Sequence, residues 1–468
     1  MKLENISKAL NLIMVIIFAL IIAMGPVFNI LENKEFFNSF IYALILALGI
    51  SCLLPRFKLK KTRALTICII LSVLCFMVKF SWVYLVRIVP LADYETYFNY
   101  AKVLSENFLA PDRYVALFPH IFGYSWFLSL FMKIFGTGEL LVPLINVILS
   151  VISGVLIFRI SYKLIDIRAA VFSYLLWIFC PSQTIYNSLV LSDLFYTTMI
   201  LSFILIITEL NLSSLIKKTA LTGIFAGFIL RLVNITRPIA AILVIAVFIW
   251  LFALKTREWI SSDFRKKWNP FLIMLVLCYF ATGPIWDNYI TKRLLEEPAS
   301  VPGYNIMVGF NMNSLGTWNL EDSTLLTNYS NEVNATAVWA QEQIMIDAKK
   351  HITSGNIDFP RLFKYKLMTF IGSDSSAVYY HRDVLTDTKK PLEDLCNTFY
   401  YMVIILSLFS LPALGKYSRK TTMSVVLLYI IGLTLAQMLV EVAGRYHYSI
   451  IPMLILVCQY GLFYKNKE

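Results

Sequence analysis

Charge is scarce in this sequence. Of its 468 residues, 15% are Asp, Glu, Lys or Arg and 58% are hydrophobic, a balance that excludes an ordinary soluble domain. Histidine is scarcer still. His120, His351, His381 and His447 are scattered with no HExxH or paired spacing, so no metal site is legible and a divalent-metal requirement stays undecided. The seven cysteines are dispersed in or beside apolar stretches, without disulfide or metal-ligand spacing, which leaves packing as their role. No glycine-rich phosphate loop is present, which excludes the common nucleotide-cradling motif. There is no internal repeat and no DNA- or RNA-binding motif, and the net charge of +12 forms no concentrated patch, so nucleic acid is not an expected partner.

Long apolar runs are what the sequence has in quantity. Windows of about 18 to 24 residues, the length that crosses roughly 30 Å of hydrocarbon, recur along it. They fall near 9–31, 37–54, 64–87, 140–163, 168–185, 190–210, 218–235, 238–254, 270–290, 396–413, 421–440 and 446–464. These twelve windows predict an all-α polytopic membrane protein. The first run is too long for a secretory signal and has no small-residue cleavage site, so it reads as a retained helix that leaves "MKLENISK" in the cytoplasm. Basic loops should then alternate in side, and "RFKLKKTR" (56–63), "RISYKLIDIR" (159–168), "IKK" (216–218), "KTREWISSDFRKKW" (255–268), "KYSRK" (416–420) and the tail "YKNKE" all come out cytoplasmic. The alternation works only if "PHIFGYSWFLSLFMKIFG" (119–136) does not span, so that segment reads as an interfacial or re-entrant helix. The expected organisation is a transmembrane bundle over 1–290 that includes a first extracytoplasmic loop at 88–139, a cap at 291–395, and closing helices at 396–468.

The unusual polar residues then share the extracytoplasmic side. Asp93 and Glu95 follow the third span, Ser192 and Asp193 open the seventh helix region, and Arg231 and Arg237 bracket an outer turn. "GFNMNSLGTWNLED" (309–322) lies in the cap, and Glu441, Arg445, Tyr446 and His447 lie at the last outer turn. Charges at membrane depth are costly, so their convergence on one face points to a site. Arginine suits phosphate oxygens, a carboxylate can take a proton from an attacking hydroxyl, and aromatic rings can stack on sugars or anchor the interface. Each residue also has a plainer reading. Asp93 and Glu95 can be solvated interfacial acids, Asp193 a helix cap, Arg237 a snorkelling side chain, Arg445 a partner of Glu441, and His447 a polar interface residue.

Taken in order, these stretches resemble the polytopic GT-C glycosyltransferases, specifically the bacterial branch similar to protein O-mannosyltransferases and aminoarabinose transferases. "ADYETYFNYAKVL" resembles the first-loop pattern, "FPHIFGYSWFLSLFMKIFG" the juxtamembrane segment, and "YNSLVLSDLFY" the Ser-Glu helix start with Asp193 in place of Glu. "TRPIA" resembles the Arg-Pro helix start, "GFNMNSLGTWNLED" the large-loop Gly-x-Asn and Trp-Asn stretch, and "GRYHYSIIPMLIL" the closing helix. The resemblance implies a GT-C-like bundle with juxtamembrane helices and a sugar passed from a polyprenyl-phosphate donor to an extracytoplasmic glycan, teichoic acid or glycolipid. It implies Asp93 as catalytic base. Arg237, Arg445 and Arg231 would hold the donor phosphate, and Glu95, Tyr97, Ser192, Asp193, Asn311, Trp318, Tyr446 and His447 would line the substrate or support those that do. A bacterial plasma-membrane location follows from the same likeness. The alternatives are a flippase or carrier for a lipid-linked saccharide, and a polysaccharide polymerase or ligase.

Overall fold

The computed structural model describes residues 2–54, 64–90, 93–210, 216–381 and 383–464. The basic run 56–63 and the residues 465–468 of the basic tail lie outside the described residues. Everything regular among the described residues is helix, as an apolar chain in hydrocarbon requires, because a helix satisfies its own backbone polar groups.

The molecule is an all-α polytopic membrane protein. Among the described residues seven helices are long and apolar enough to cross a bilayer: Leu3–Glu32, Phe36–Leu53, Ala64–Leu85, Leu141–Leu164, Ile216–Thr236, Ser262–Leu294 and Lys389–Phe409. Two bent pairs, Ile167–Phe179 with Pro181–Ser188 and Leu411–Lys420 with Met423–Leu439, raise the number to nine. Each of the twelve expected windows falls on helix, but the count of twelve is not reached by length and composition. The remaining three windows hold helices of 17 residues or fewer that belong to no bent pair: Asp193–Glu209, Ala240–Ile249 with its continuation to Leu254, and Ile450–Phe463. The last window, placed at 446–464, opens in the short turn Gly444–His447 and not in helix. Outward-facing apolar side chains such as Ile69, Ile70, Val73 and Met77 are exposed, which water would penalise and lipid does not.

One break matters to the site. The helix Ile167–Phe179 ends where Pro181, lacking an N–H, begins a new turn bent by 61°. The buried Lys79 of the helix Ala64–Leu85 reaches this break and donates to the Trp177 carbonyl at 3.3 Å and to Thr184 Oγ1 at 2.7 Å. It thereby satisfies a carbonyl at a helix end inside the bundle.

The bundle has two unlike ends. At one, Glu4 pairs with Arg257 at 3.0 Å and Arg419 at 3.5 Å, the Tyr417 and Tyr464 rings stand 4.3 Å apart, and Arg168 lies over Phe463. Basic loops distant in sequence therefore gather with the chain's first helix. At the other end, Asn29 Nδ2 donates to the Gly372 carbonyl at 3.1 Å and Lys364 pairs with Glu32. These contacts tie the first helix to Phe359–Ile371, the helix by which the long segment after Leu294 returns to the bundle. That segment also carries the helices Gly303–Gly309, Leu320–Ser330 and Ala337–Thr353. The helix His120–Phe135 is not among the candidate spans. It packs between Asp93–Glu106 and Ile216–Thr236 so tightly that a Cβ on Gly123 would sit 1.9 Å from the Ile235 carbonyl oxygen.

Candidate active site

Asp93 begins the helix Asp93–Glu106, where an acidic side chain is favoured by the positive end of the helix dipole. Its carboxylate accepts a hydrogen bond from Arg445 Nη2, and the two form an ion pair. The Asp93 side chain remains 47% exposed while that of Arg445 is 12% exposed, so the acid faces open space and the guanidinium backs it. Arg445 lies in the turn Gly444–His447, and its guanidinium stands 5.8, 5.9 and 5.6 Å from the rings of Tyr94, Tyr380 and Tyr446. An aromatic cage of this kind holds a cation without neutralising it. Glu95, two residues along, is exposed and takes only a 3.4 Å hydrogen bond from Asn99, so the structure turns it away from this group.

Arg237 follows the helix Ile216–Thr236, and Pro238 follows it in turn. Its guanidinium lies 4.0 Å from the centre of the Tyr446 ring, the same ring that flanks Arg445. Among the described residues no carboxylate forms an ion pair with Arg237, although the charge of Asp193 bears on it. Asp193 opens the helix Asp193–Glu209, is 1% exposed, and accepts from the Tyr196 hydroxyl at 2.9 Å. Ser192 occupies the N-cap position without a side-chain capping bond. Tyr97 is buried edge-on to Tyr124, with ring centres 5.3 Å apart.

His447 goes inward. It is buried against Asp374, its Nε2 standing 3.1 Å from Asp374 Oδ1, and Asp374 also accepts from the Ser182 hydroxyl just past the Pro181 break. The Asp374 backbone N–H donates to Asn397 Oδ1 at 2.8 Å. This buried knot fixes the turn that carries Arg445 and leaves His447 no access to a substrate. Ser182, Asp374 and His447 do not form a nucleophilic triad, because the serine bonds the carboxylate and not the imidazole.

The long segment contributes its own wall. Asn311 organises a turn, its side-chain oxygen accepting from the N–H groups of Asn313 and Ser314 and its Nδ2 donating to Asp322 at 2.9 Å. Gly316 completes the turn at φ 80°, a left-handed conformation that favours glycine, and its carbonyl accepts from the Val442 N–H at 2.9 Å. Lys366 Nζ donates to the carbonyls of Gly309, Met438 and Val440 at 2.8, 2.9 and 2.7 Å. Glu441 is thereby held beside the cluster, where burial raises its carboxyl above the usual range against the pull of Arg445 and Arg237. Its side chain takes one hydrogen bond, a 3.3 Å contact from the Tyr446 hydroxyl. His120, at the head of the helix His120–Phe135, is pushed down to about 3 by burial and by Arg237, so its imidazole is neutral near neutral pH. Trp318 is exposed on the rim of the turn.

Arg231 is elsewhere. It lies against the helix Ser262–Leu294, donating to the Tyr279 carbonyl and to Thr282 Oγ1, with its guanidinium 4.6 Å from the Tyr279 ring. Of the three arginines the sequence marks, the structure brings Arg445 and Arg237 together and leaves Arg231 with helix packing. Among the described residues no three His, Cys, Asp or Glu side chains gather into a metal-holding group.

Residues 119–286 match the model of the dolichyl-phosphate-mannose-protein mannosyltransferase family. The match supports a membrane glycosyltransferase of the GT-C type. It runs from the residue before His120 into the helix Ser262–Leu294, so it takes in Asp193 and Arg237, whereas Asp93 and Arg445 lie outside it. No curated protein matches the chain. Tyr94, Tyr380, His120 and Asp374 belong to the assembled site yet carry no mark in the sequence beyond residue types that every membrane interface holds.

Proposed function

We propose that this chain transfers a single sugar from a polyprenyl-phosphate donor to an acceptor hydroxyl by direct displacement, with Asp93 as base and Arg445 and Arg237 holding the phosphate. The family match supports the glycosyltransferase class. The observation that carries the residue roles is the half-open Asp93–Arg445 pair with Arg237 across the shared Tyr446 ring. The acceptor oxygen attacks the anomeric carbon as the bond from that carbon to the phosphate oxygen breaks, and the hydroxyl proton passes to Asp93. The departing polyprenyl phosphate gains a negative charge, so arginines already in place act most strongly on the transition state. Arg445 is bound to Asp93 before the donor arrives; phosphate oxygens drawing it away uncover the carboxylate that the acceptor needs. A single displacement inverts the anomeric configuration. The site end of the bundle is assigned to the extracytoplasmic face of a plasma membrane, with the basic loops and both termini in the cytoplasm.

The test is transfer of radiolabelled sugar from polyprenyl-phosphate donors to envelope acceptors by protein in nanodiscs, wild type beside Asp93→Asn. Wild-type transfer that falls by a factor of about 100 or more in the variant, with donor binding kept, is the expected result. Equal rates in the two proteins remove Asp93 from the chemistry. Movement of lipid-linked sugar between leaflets with no transfer replaces the enzyme with a carrier.

A further inference from the structure

The chemistry above uses one carboxylate and leaves a second beside it. Glu441 lies in the segment between the helix Met423–Leu439 and the turn bearing Arg445, held by its backbone N–H to the Asn305 carbonyl at 2.7 Å. Its one side-chain contact, 3.3 Å from the Tyr446 hydroxyl, is long for an O–H···O bond, and no ion pair involves it among the described residues. A carboxylate offers about four lone-pair sites, so nearly all of its accepting capacity is unspent.

The flank it shares with Asp93 is aromatic. A contact path joins Tyr114 to Glu441: the Asn305 carbonyl that holds the Glu441 N–H adjoins Tyr304, whose ring meets Phe118, which in turn meets the Tyr114 ring. Burial raises the Tyr114 hydroxyl, and the charges of Asp93 and Glu441 push in the same direction. Tyr114 is nevertheless 47% exposed as a residue. Behind it the Phe118 ring stands 5.0 Å from Tyr114 and 5.5 Å from Tyr304. An open aromatic face beside an unspent carboxylate suits a ring that is apolar on its C–H face and carries hydroxyls at its edge. A peptide would instead seek free backbone acceptors, and those nearby are taken: the Asn305 carbonyl by Glu441, that of Gly316 by Val442, and those of Gly309, Met438 and Val440 by Lys366.

We infer that Glu441 and Tyr114, backed by Phe118, form the acceptor subsite and that it takes the hydroxyl-bearing sugar ring of a glycan or glycolipid. This rests on the transferase reading. Glu441 grips hydroxyls that do not react, and so turns the reacting one toward Asp93.

The experiment supplies full-length protein in nanodiscs with radiolabelled polyprenyl-phosphate glucose and mannose, and with a cell-envelope extract separated into a glycan and glycolipid pool and a protein pool. Label is expected in the glycan pool. Glu441→Gln and Tyr114→Ala should each raise the apparent KM for that pool by about tenfold or more while the Kd for the donor lipid is unchanged. Label confined to the protein pool, label in neither pool, an unchanged acceptor KM in both variants, or a parallel loss of donor binding overturns the inference. A wild type that fails to bind the donor before any acceptor is added sinks the transferase reading itself, and the two failures are thus told apart.

Discussion

Arg445 and Asp93 are 352 positions apart in the chain and meet through a single guanidinium nitrogen. A planar guanidinium can turn two parallel N–H groups onto phosphate oxygens, a bidentate grip that an ammonium, with all its donors on one atom, does not offer. Arg445→Lys, which retains the charge, is therefore expected to lower transfer at least tenfold with little change in thermal stability, read from initial rates and a thermal melt of the same preparation. Asp374 behaves differently. Asp374→Ala would strand the buried Ser182 and His447 groups, at a cost of roughly 1–3 kcal/mol, and so should lower the melting temperature in detergent as well as the rate. His120 sets a pH dependence. Its folded pKa of about 3 lies below its ordinary 6.5, so the unfolded chain binds more protons between those values. Stability from this group is complete above about pH 6.5 and is lost as the pH falls toward 3. Melts across that range should show acid lability that His120→Phe reduces. Asp93, Arg237 and Arg445 could be picked from the sequence because a charge at a membrane helix end is conspicuous. In the sequence Glu441 stands out only as one of the polar residues of the last outer turn and a partner for Arg445, Tyr94 only as part of a motif, and Tyr380 not at all, since aromatic residues are common at every such interface.

Helices were legible wherever the apolar run was long and unbroken, since length against bilayer thickness is a strong signal. Their ends were not. The windows at 168–185 and 446–464 ran through Pro181 and through the Gly444–His447 turn, because a hydropathy window averages over the residues that break a helix. Charge alternation alone marks the helix His120–Phe135 as one expected not to span, but its tight seat against Ile235 is not legible in the sequence. Gly123→Val should push this helix off Ile216–Thr236 and displace Arg237, two residues beyond Ile235. The expected outcome is a lower thermal midpoint and loss of donor binding, with Gly123→Ala intermediate; thermal unfolding with a donor-binding assay checks both.

At the scale of the whole molecule, the unlike ends give a test of orientation. With native cysteines replaced, Asn331→Cys in the long segment should be labelled by an impermeant maleimide on intact cells. Lys266→Cys, in the basic stretch before Ser262–Leu294 has become apolar, should react only after permeabilisation. The reverse pattern inverts the proposed topology. The clamp made by Lys366 bears on traffic through the protein. One buried nitrogen ties the segment's Gly309 to Met438 and Val440, next to Glu441, so swinging that wall outward would leave three carbonyls without their donor and an ammonium without acceptors. In the proposed reaction this wall would thus be a fixed roof and not a hatch. Under the proposed transfer, greasy and sugary reactants would come by separate doors, the isoprenoid tail sideways from the lipid and the acceptor from the water past Tyr114, and neither would have to wait for the roof to lift.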